Sequence, residues 1–356
     1  MSLVIVSSEP ISADRKFWVI RPGKDAVYYN HFRKNNLVAI GHTEDLDVGD
    51  IEGELSSENI DEILTLYRND MIRRNESNSV IARQVGQVRQ FLTQVNEGDI
   101  VLTLTESKVL AGRVTSRCYY DETEFKADPH DKKDGCYFPL RINVEWGKAQ
   151  PRDNIPYVID KSLRNTGTIF GISEEDKVQV LNHWLHPIHF VNDEVRCSIN
   201  IKSKEQLSNR ELSSLSNVYD QLELLAGFIA SFDNPQDATL EAFKEFLAEE
   251  YLSYGYQLTA QHAFMSPGHQ FIQLKGNHAN IKAFALAFAL LFNNNLVFAE
   301  DAENDQVLAE KIIELVQVIK TKQVQHSIRS LDAEMQKQIV QEAEFEVPVP
   351  SDDAML

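Results

Sequence analysis

The chain has 356 residues, and with 43% of them hydrophobic it is long enough for two domains that each bury a core. Asp and Glu number 54 against 35 Lys and Arg, so the formal net charge is −19 at pH 7. Proteins that bind nucleic acid by bulk neutralisation of phosphates are usually basic over the contacting domain, so this composition excludes a broad basic surface and leaves only a local binding site.

Short strands around a few helices are predicted for the first 175 residues. The apolar positions Ile60, Ile63 and Tyr67 follow a helical spacing, and a second stripe of this kind comes after them. The predicted helices span residues 25–34, 57–74 and 78–95, and the predicted strands span residues 16–21, 37–41, 99–105, 109–119 and 137–146. Residues 122–135 are rich in charge and are predicted to form an exposed loop. This pattern favours a small, partly closed β-barrel with flanking helices over residues 1–175.

The second half has a different pattern, which predicts an α+β domain over residues 194–345. Its predicted strands span residues 195–202, 256–263, 270–275 and 296–299, and its predicted helices span residues 212–225, 239–251, 279–292, 308–319 and 331–344. Residues 176–193 contain Pro187 and are predicted to be a linker. The acidic residues 346–356 are predicted to be a disordered tail. The expected fold class is therefore α+β in two domains.

Signals for membrane insertion, secretion and disulfide bonds are not visible in the sequence. The longest strongly apolar stretch, residues 281–292, is only about half of the roughly 20 residues that a membrane helix needs. The first residues lack the basic and apolar regions of a secretory signal. The three cysteines lie far apart, in neither a disulfide nor a zinc spacing. We expect a cytoplasmic protein with no membrane contact, no cofactor and no bound metal.

Five segments of the first half occur in an order that is typical of one family. Their order is a more specific signal for that family than any one segment alone. They are FWVIRPGKDAVYYNHFRKNNLVAIGH from residue 17, QVGQVR from residue 84, GRVTSRCYYD from residue 112, VEW from residue 144 and LRNTGTIFGI from residue 163. In this order they resemble the PUA/EVE-like domain at the N-terminus of Mrr-like restriction proteins, over roughly residues 15–173. The resemblance implies a β-barrel that holds one extruded base, often a modified one, in an aromatic-lined pocket. In restriction proteins such a reader directs a nuclease to foreign DNA.

A pocket for an extruded base needs a flat apolar wall, worth about 1–3 kcal/mol of stacking, and polar groups that contact the edge of the base. We predict that eight residues supply them: Trp18, Arg21, Tyr28, His42, Gln87, Arg89, Tyr119 and Asn165. Core packing is the alternative for Trp18, and a solvated helix surface is the alternative for Arg89. His42 stands where the family typically has a tryptophan, so the identity of the base stays open, as does the choice between DNA and RNA.

The second half is expected to hold no catalytic site. In the restriction relatives this half is often a metal-dependent nuclease, and Gln273-Leu274-Lys275 is similar to the Gln-x-Lys ending of its motif. Residues 257–272 contain no carboxylate, whereas magnesium prefers oxygen ligands. The histidines at positions 183, 186 and 189 lack an acidic or Cys partner nearby and are expected to be exposed in the linker.

The sequence leaves three functions open. The first is a reader of a nucleic acid with an extruded base, modified or not, that acts as a sensor in a bacterial defence or restriction-like system without a catalytic site of its own. The second is a degenerate or metal-dependent nuclease of the restriction type. The third is a protein-interaction or small-molecule-binding adaptor. In the first reading, the C-terminal domain is expected to form a homo-oligomer or to dock an effector protein.

Overall fold

The computed structural model describes residues 2–6, 10–41, 43–44, 46, 48, 51, 53–130, 135–206, 208–264, 268–298 and 302–340. The chain divides into two compact units. Residues 14–185 form the first, the N unit, and residues 1–13 together with residues 186–356 form the second, the C unit.

Helices and strands alternate along both units, so the expected mixture of the two is confirmed. The helices are α1 (Tyr29–Lys34), α2 (Ser57–Arg73), α3 (Asn78–Thr93), α4 (Tyr157–Ser162), α5 (Glu175–Leu185), α6 (Asn209–Ala230), α7 (Leu240–Glu250), α8 (His278–Leu291), α9 (Ala302–Ile319) and α10 (Lys322–Ser330). The strands are β1 (Ser2–Val6), β2 (Phe17–Ile20), β3 (Leu37–Ile40), β4 (Gly53–Glu54), β5 (Ile100–Leu104), β6 (Lys108–Val114), β7 (Tyr119–Tyr120), β8 (Leu140–Trp146), β9 (Gln150–Pro151), β10 (Ile169–Ile172), β11 (Ile188–Val191), β12 (Glu194–Ile201), β13 (Thr259–Phe264), β14 (Gly268–Lys275), β15 (Asn294–Phe298) and β16 (Ala333–Met335).

The N unit is built on a sheet that curls into a half-barrel. Its strand order is β10-β2-β5-β6-β8-β7-β4, with β3 paired to β8 and β9 paired to β6. Strands β2 and β5 run parallel, and the other neighbours are antiparallel. The core joins strand residues such as Ile20 and Val38 to Ile63 of α2 and Val88 of α3, all of which are fully buried. The helical stripes of the sequence therefore pack where their periodicity predicts.

Local capping explains where α2 and α3 begin. The Ser56 hydroxyl accepts a hydrogen bond from the backbone N–H of Asn59, and the Asn59 side chain accepts one from the backbone N–H of Ser56, which is a complete capping box. The Ser77 hydroxyl caps α3 in the same way by accepting from the backbone N–H of Val80. Asn75 adopts a left-handed φ of 58° in the turn between the two helices.

The C unit packs helices against a short antiparallel sheet. The strand order is β11-β12-β14-β13, with β16 paired to β12, and β1 forms a parallel pair with β15. Helix α8 is buried over almost its whole length, as its apolar sequence predicts, and it contacts α6, α9 and β12. Among the helices that the structure describes, none has the combination of length and apolarity that a membrane crossing requires.

The predicted domain boundaries need two corrections. Residues 176–193 are not a linker, because α5 and β11 occupy most of this stretch and bury Trp184, Leu185 and Phe190. Residues 1–175 are not one domain, because β1 pairs with β15 and residues 1–13 belong to the C unit, which resumes at His186 rather than at residue 194. A pairing between strands almost 300 residues apart leaves no signal in the local pattern of either strand.

Three smaller predictions of the second half can also be compared with the structure. Residues 331–340 do not form a helix: α10 ends at Ser330, Asp332 turns the chain with a φ of 45°, and β16 follows. The three linker histidines, predicted to be exposed, are buried. Residues 341–356, which include the predicted tail, lie outside the described residues.

Candidate ligand-binding cleft

The N unit contains a cleft of about 840 Å³, which lies within the range of about 300–1,000 Å³ that is usual for small-ligand sites. Its walls come from the loop after β2, the residues after β3, the β5–β6 turn, the segment before β8, the turn after β9 and the loop before β10. The lining residues are Arg21, Pro22, Gly23, Lys24, Asp25, Ala26, Gly41, Glu44, Leu104, Thr105, Glu106, Phe138, Arg152, Thr166 and Thr168. The half-barrel therefore brings segments more than 100 residues apart onto one cavity.

Arg21 contributes a positive charge to the cleft that forms no ion pair with a carboxylate of the described residues. Its Nη2 donates hydrogen bonds to the backbone oxygens of Leu163 at 2.7 Å and Asn165 at 2.6 Å, and its Nε donates to the same Asn165 oxygen at 3.2 Å. These acceptors are neutral, and among the described residues no carboxylate forms an ion pair with Arg21. Burial and the neighbouring positive charge of Arg152 lower the pKa of Arg21. An arginine that is held in place but lacks a counter-ion is suited to bind an anionic ligand group.

Arg152 differs from Arg21 because its charge is already paired. Its Nε donates to Oδ1 of Asp160 at 2.7 Å, and Arg164 contacts the other oxygen of the same carboxylate at 3.1 Å. The hydrogen bond from Arg152 lowers the pKa of Asp160, so this carboxylate stays ionised. Arg152 therefore adds to the positive potential beside Arg21 but is itself partly neutralised.

Phe138 supplies an aromatic wall. Its half-buried ring meets Tyr28 edge to face, with 4.8 Å between the ring centroids and an angle of 73°. The ring also lies against the backbone at Gly41, because a β-carbon at that position would be only 2.9 Å from Cζ of Phe138. Tyr28 and Gly41 together hold the Phe138 ring in place. A planar ligand can stack on such a fixed ring with little further loss of side-chain entropy.

The loop after β2 is held in an uncommon backbone conformation. Gly23 has a φ of 75° and a ψ of −179°, a region that only glycine adopts readily, and Asp25 and Ala26 follow with φ values of 54° and 58°. Left-handed residues other than glycine cost about 1–2 kcal/mol each. The backbone N–H of Tyr28 donates to the Pro22 oxygen at 2.9 Å and closes the loop. Strain of this kind is retained mainly where a loop must have one shape, as at a ligand site.

Gly23→Ala is expected to lower the free energy of unfolding by about 2 kcal/mol, because an alanine is strained at the φ and ψ that Gly23 adopts. The new β-carbon would also lie 2.8 Å from Cδ2 of Tyr28. Gly86 in α3 is the matched control, since a β-carbon there has no neighbour within 4 Å. Gly86→Ala should raise stability by about 0.5–1 kcal/mol through helix propensity. Urea unfolding of both variants measures the difference, and a Gly23→Ala chain as stable as wild type would show that the loop is not strained.

Four of the eight predicted pocket residues lie at the cleft or directly behind it. Arg21 lines it, and Asn165 holds Arg21 and belongs to the loop that contributes Thr166 and Thr168. Gln87 reaches the same loop from α3, with its Nε2 3.2 Å from the position of a β-carbon on Gly167. Tyr28 supports the Phe138 ring.

The other four predicted residues have different positions. Trp18 is 4% exposed, and its Nε1 donates to the buried Asp99 carboxylate at 2.9 Å, so it belongs to the core. Arg89 is exposed on α3, and the Tyr119 hydroxyl on β7 donates to Oδ1 of Asn143 at 3.0 Å. None of these three lines the cleft. His42 lies outside the described residues, although Gly41 before it lines the cleft.

Phe138, Glu44 and Arg152 line the cleft but are not among the residues predicted from the sequence. Phe138 stands in a stretch predicted as strand, and nothing in that stretch separates a cleft residue from a core residue. Glu44 stands two residues beyond the last residue of the first resembling segment, and Arg152 stands between the fourth and the fifth. The proximity of Glu44 and Arg152 to the resembling segments is the signal in the sequence that could have identified them as cleft residues.

Lys275 and the three cysteines, which bear on metal chemistry in the sequence, do not line the cleft. Within the described part of the chain, no group of three His, Cys, Asp or Glu side chains is arranged to hold a metal ion. Lys275 forms an ion pair with Asp193 at 3.3 Å at the exposed end of β14. The three cysteines are free thiols and buried.

A family model described as a domain of unknown function (DUF8426) matches residues 18–173. Every residue that lines the cleft falls within this match. No curated protein gives a significant match to the chain. The matched segment and the cleft therefore occupy the same part of the protein.

Proposed function

We propose that the cleft of the N unit holds one unstacked base of a nucleic-acid strand, and that the chain acts as a reader of nucleic acid. The observation that carries the proposal is the pairing, on one cavity, of the Phe138 ring with the Arg21 guanidinium, which has no carboxylate partner among the described residues. A nucleotide presents the same two features, a flat ring and an anionic phosphate. A site that combines both selects a nucleotide over a purely apolar or a purely anionic ligand.

The cleft is not basic overall, since its lining contains as many carboxylates as cations, so binding of a polyanion depends on the placement of the Arg21 guanidinium. The net charge of −19 opposes binding at long range, but salt screens this repulsion beyond about 8–10 Å. Contacts inside the cleft are short and partly shielded from water, so they are screened less. Binding through one base and one or two phosphates also predicts a shallow dependence on salt.

Thr105, Thr166 and Thr168 offer hydroxyl groups to the edge of a bound ring. A hydroxyl both donates and accepts hydrogen bonds, so it adapts to different bases. Carboxylates of Asp25, Glu44 and Glu106 complete the lining. The cleft therefore has contacts for a base edge as well as for its face and its phosphate.

The finer assignment of the N unit as a PUA/EVE-like barrel belongs to the same proposal. Support comes from the five resembling segments, since the first supplies the strained loop and Gly41, and the last supplies Thr166 and Thr168. A role as a sensor in a bacterial defence or restriction-like system follows from that resemblance. In such a system the C unit would join the reader to an effector protein or to a second copy of the chain.

Phe138→Ala is expected to weaken binding of a short single-stranded oligonucleotide by about five- to a hundred-fold, because stacking on one aromatic ring contributes about 1–3 kcal/mol. Fluorescence anisotropy at one fixed, low salt concentration measures the affinity. Tyr137→Ala is the control, since Tyr137 is the adjacent aromatic residue, 58% exposed, and does not line the cleft.

The same assay distinguishes the reader hypothesis from the adaptor hypothesis. Arms with single-stranded DNA, duplex DNA and RNA, each with and without a modified cytosine, identify the preferred form. Equal affinity of the Phe138→Ala and Tyr137→Ala variants would contradict stacking in the cleft. If no oligonucleotide binds to the wild-type chain, the reader function is wrong and the adaptor function takes its place.

A further inference from the structure

Glu44 places a carboxylate next to the aromatic wall of the cleft. A β-carbon on Gly41 would lie 3.0 Å from Oε1 of Glu44 and 2.9 Å from Cζ of Phe138, so the carboxylate and the edge of the ring border the same point. Glu44 is exposed, and no hydrogen bond joins it to another part of the described chain. A ring stacked on Phe138 would thus present part of its edge to a free carboxylate.

The other charged groups of the cleft are placed differently. Asp25 belongs to the strained loop after β2, and Glu106 belongs to the β5–β6 turn. At the position of a β-carbon on Gly41 the three nearest atoms belong to Phe138 and Glu44, and neither Asp25 nor Glu106 is among them. Arg21 is held by the loop before β10. Glu44 is therefore the acidic group that can select among bases stacked on the aromatic wall.

We infer that Glu44 reads the edge of the captured base and selects one with an exocyclic amino group, namely adenine, cytosine or guanine, over thymine or uracil. This inference rests on the proposed function. An ionised carboxylate only accepts hydrogen bonds, so it pairs with amino groups, as acidic side chains pair with cytosine N4. Thymine and uracil present carbonyl oxygens on both sides of their single N–H, and these oxygens are repelled by a carboxylate. Glu44 is therefore expected to favour amino-bearing bases in two ways. It accepts a hydrogen bond from their amino group, and it repels the carbonyl oxygens of thymine and uracil.

The test uses oligo-dT of fixed length as the probe, with the central base kept as T or replaced by A, C or G. The flanking bases are all thymine, the base that Glu44 is expected to disfavour. Any gain in affinity over oligo-dT is therefore due to the single replaced base. The full chain is expected to bind at least one of the three amino-bearing oligonucleotides about tenfold more tightly than oligo-dT, which corresponds to one good contact with a base edge. In Glu44→Gln, the amide both donates and accepts, and the preference should fall below about threefold.

Glu97→Gln is the control, because it removes an exposed carboxylate of the N unit that does not line the cleft. It should keep the preference of the wild-type chain. Equal binding of all four oligonucleotides, or an unchanged preference in Glu44→Gln, would overturn the role of Glu44 while the reader function stands. Failure of every oligonucleotide to bind would instead overturn the reader function, and the role of Glu44 with it.

Discussion

Arg21→Ala should reduce the affinity for a short oligonucleotide by about ten- to a hundred-fold, since a charge-assisted contact to phosphate is worth about 1.5–3 kcal/mol. The reason is that the Arg21 guanidinium is fixed by carbonyl oxygens and has no anionic partner among the described residues. Loss of one phosphate contact should also lower the slope of log affinity against log salt by about one. Anisotropy titrations at four or five salt concentrations give both quantities.

Two variants show whether the charge or its placement matters. Arg89→Ala removes an exposed cation of α3 outside the cleft and should leave the affinity and the salt slope near wild type. Arg21→Lys keeps the charge but loses the planar group that contacts two carbonyl oxygens, so its affinity should be intermediate. Circular dichroism establishes that each variant is folded. An Arg21→Ala chain with wild-type affinity and salt slope would show that Arg21 does not contact a phosphate.

Asp99→Ala should lower the free energy of unfolding by about 3 kcal/mol, because it leaves three donors without their acceptor, among them the buried indole N–H of Trp18. The Asp99 carboxylate is 4% exposed and accepts from Nε1 of Trp18 at 2.9 Å and from the backbone N–H groups of Lys16 and Asn96, each at 3.0 Å. It thereby joins the start of β2 to the start of β5, the parallel pair of the half-barrel. Urea denaturation at constant pH measures the loss.

Trp18→Phe is the milder companion of Asp99→Ala. It keeps an aromatic ring in the core and removes one of the three donors, so a loss of about 1 kcal/mol is expected. Binding of oligonucleotides should be unchanged in Trp18→Phe, since this indole bonds to Asp99 and does not line the cleft. Similar stability of Asp99→Ala and the wild-type chain would contradict the role given to this carboxylate.

Elements with strong periodicity were predictable from the sequence. Helices α2, α3 and α8 and strands β3, β5 and β12 lie within a few residues of their predicted bounds. Apolar positions repeat in α2, α3 and β12, continuous apolar runs mark α8, β3 and β5, and the three helices begin after capping residues. Long-range pairing was not predictable. The pair β1–β15 and the path of residues 176–193 depend on which distant segments meet, and a local pattern does not contain that information.

The candidate site was predictable in part, for a related reason. Arg21 and Asn165 belong to resembling segments, and the structure places them together. Trp18 sits in an equally suggestive segment, yet β2 lies between β10 and β5 and points its indole at Asp99. Which face of a fully buried strand meets a ligand depends on how the sheet curls. Phe138 was missed because its role depends on the close approach that Gly41 permits.

The structure of the chain bound to its best oligonucleotide is the most direct test of the cleft as a base-binding site. We expect one base outside the stack of its neighbours, lying flat on Phe138, with an adjacent phosphate at Arg21. A complex in which every base remains stacked on its neighbours, or in which the nucleic acid lies on another surface while the cleft stays empty, would show that the cleft is not a base-binding site.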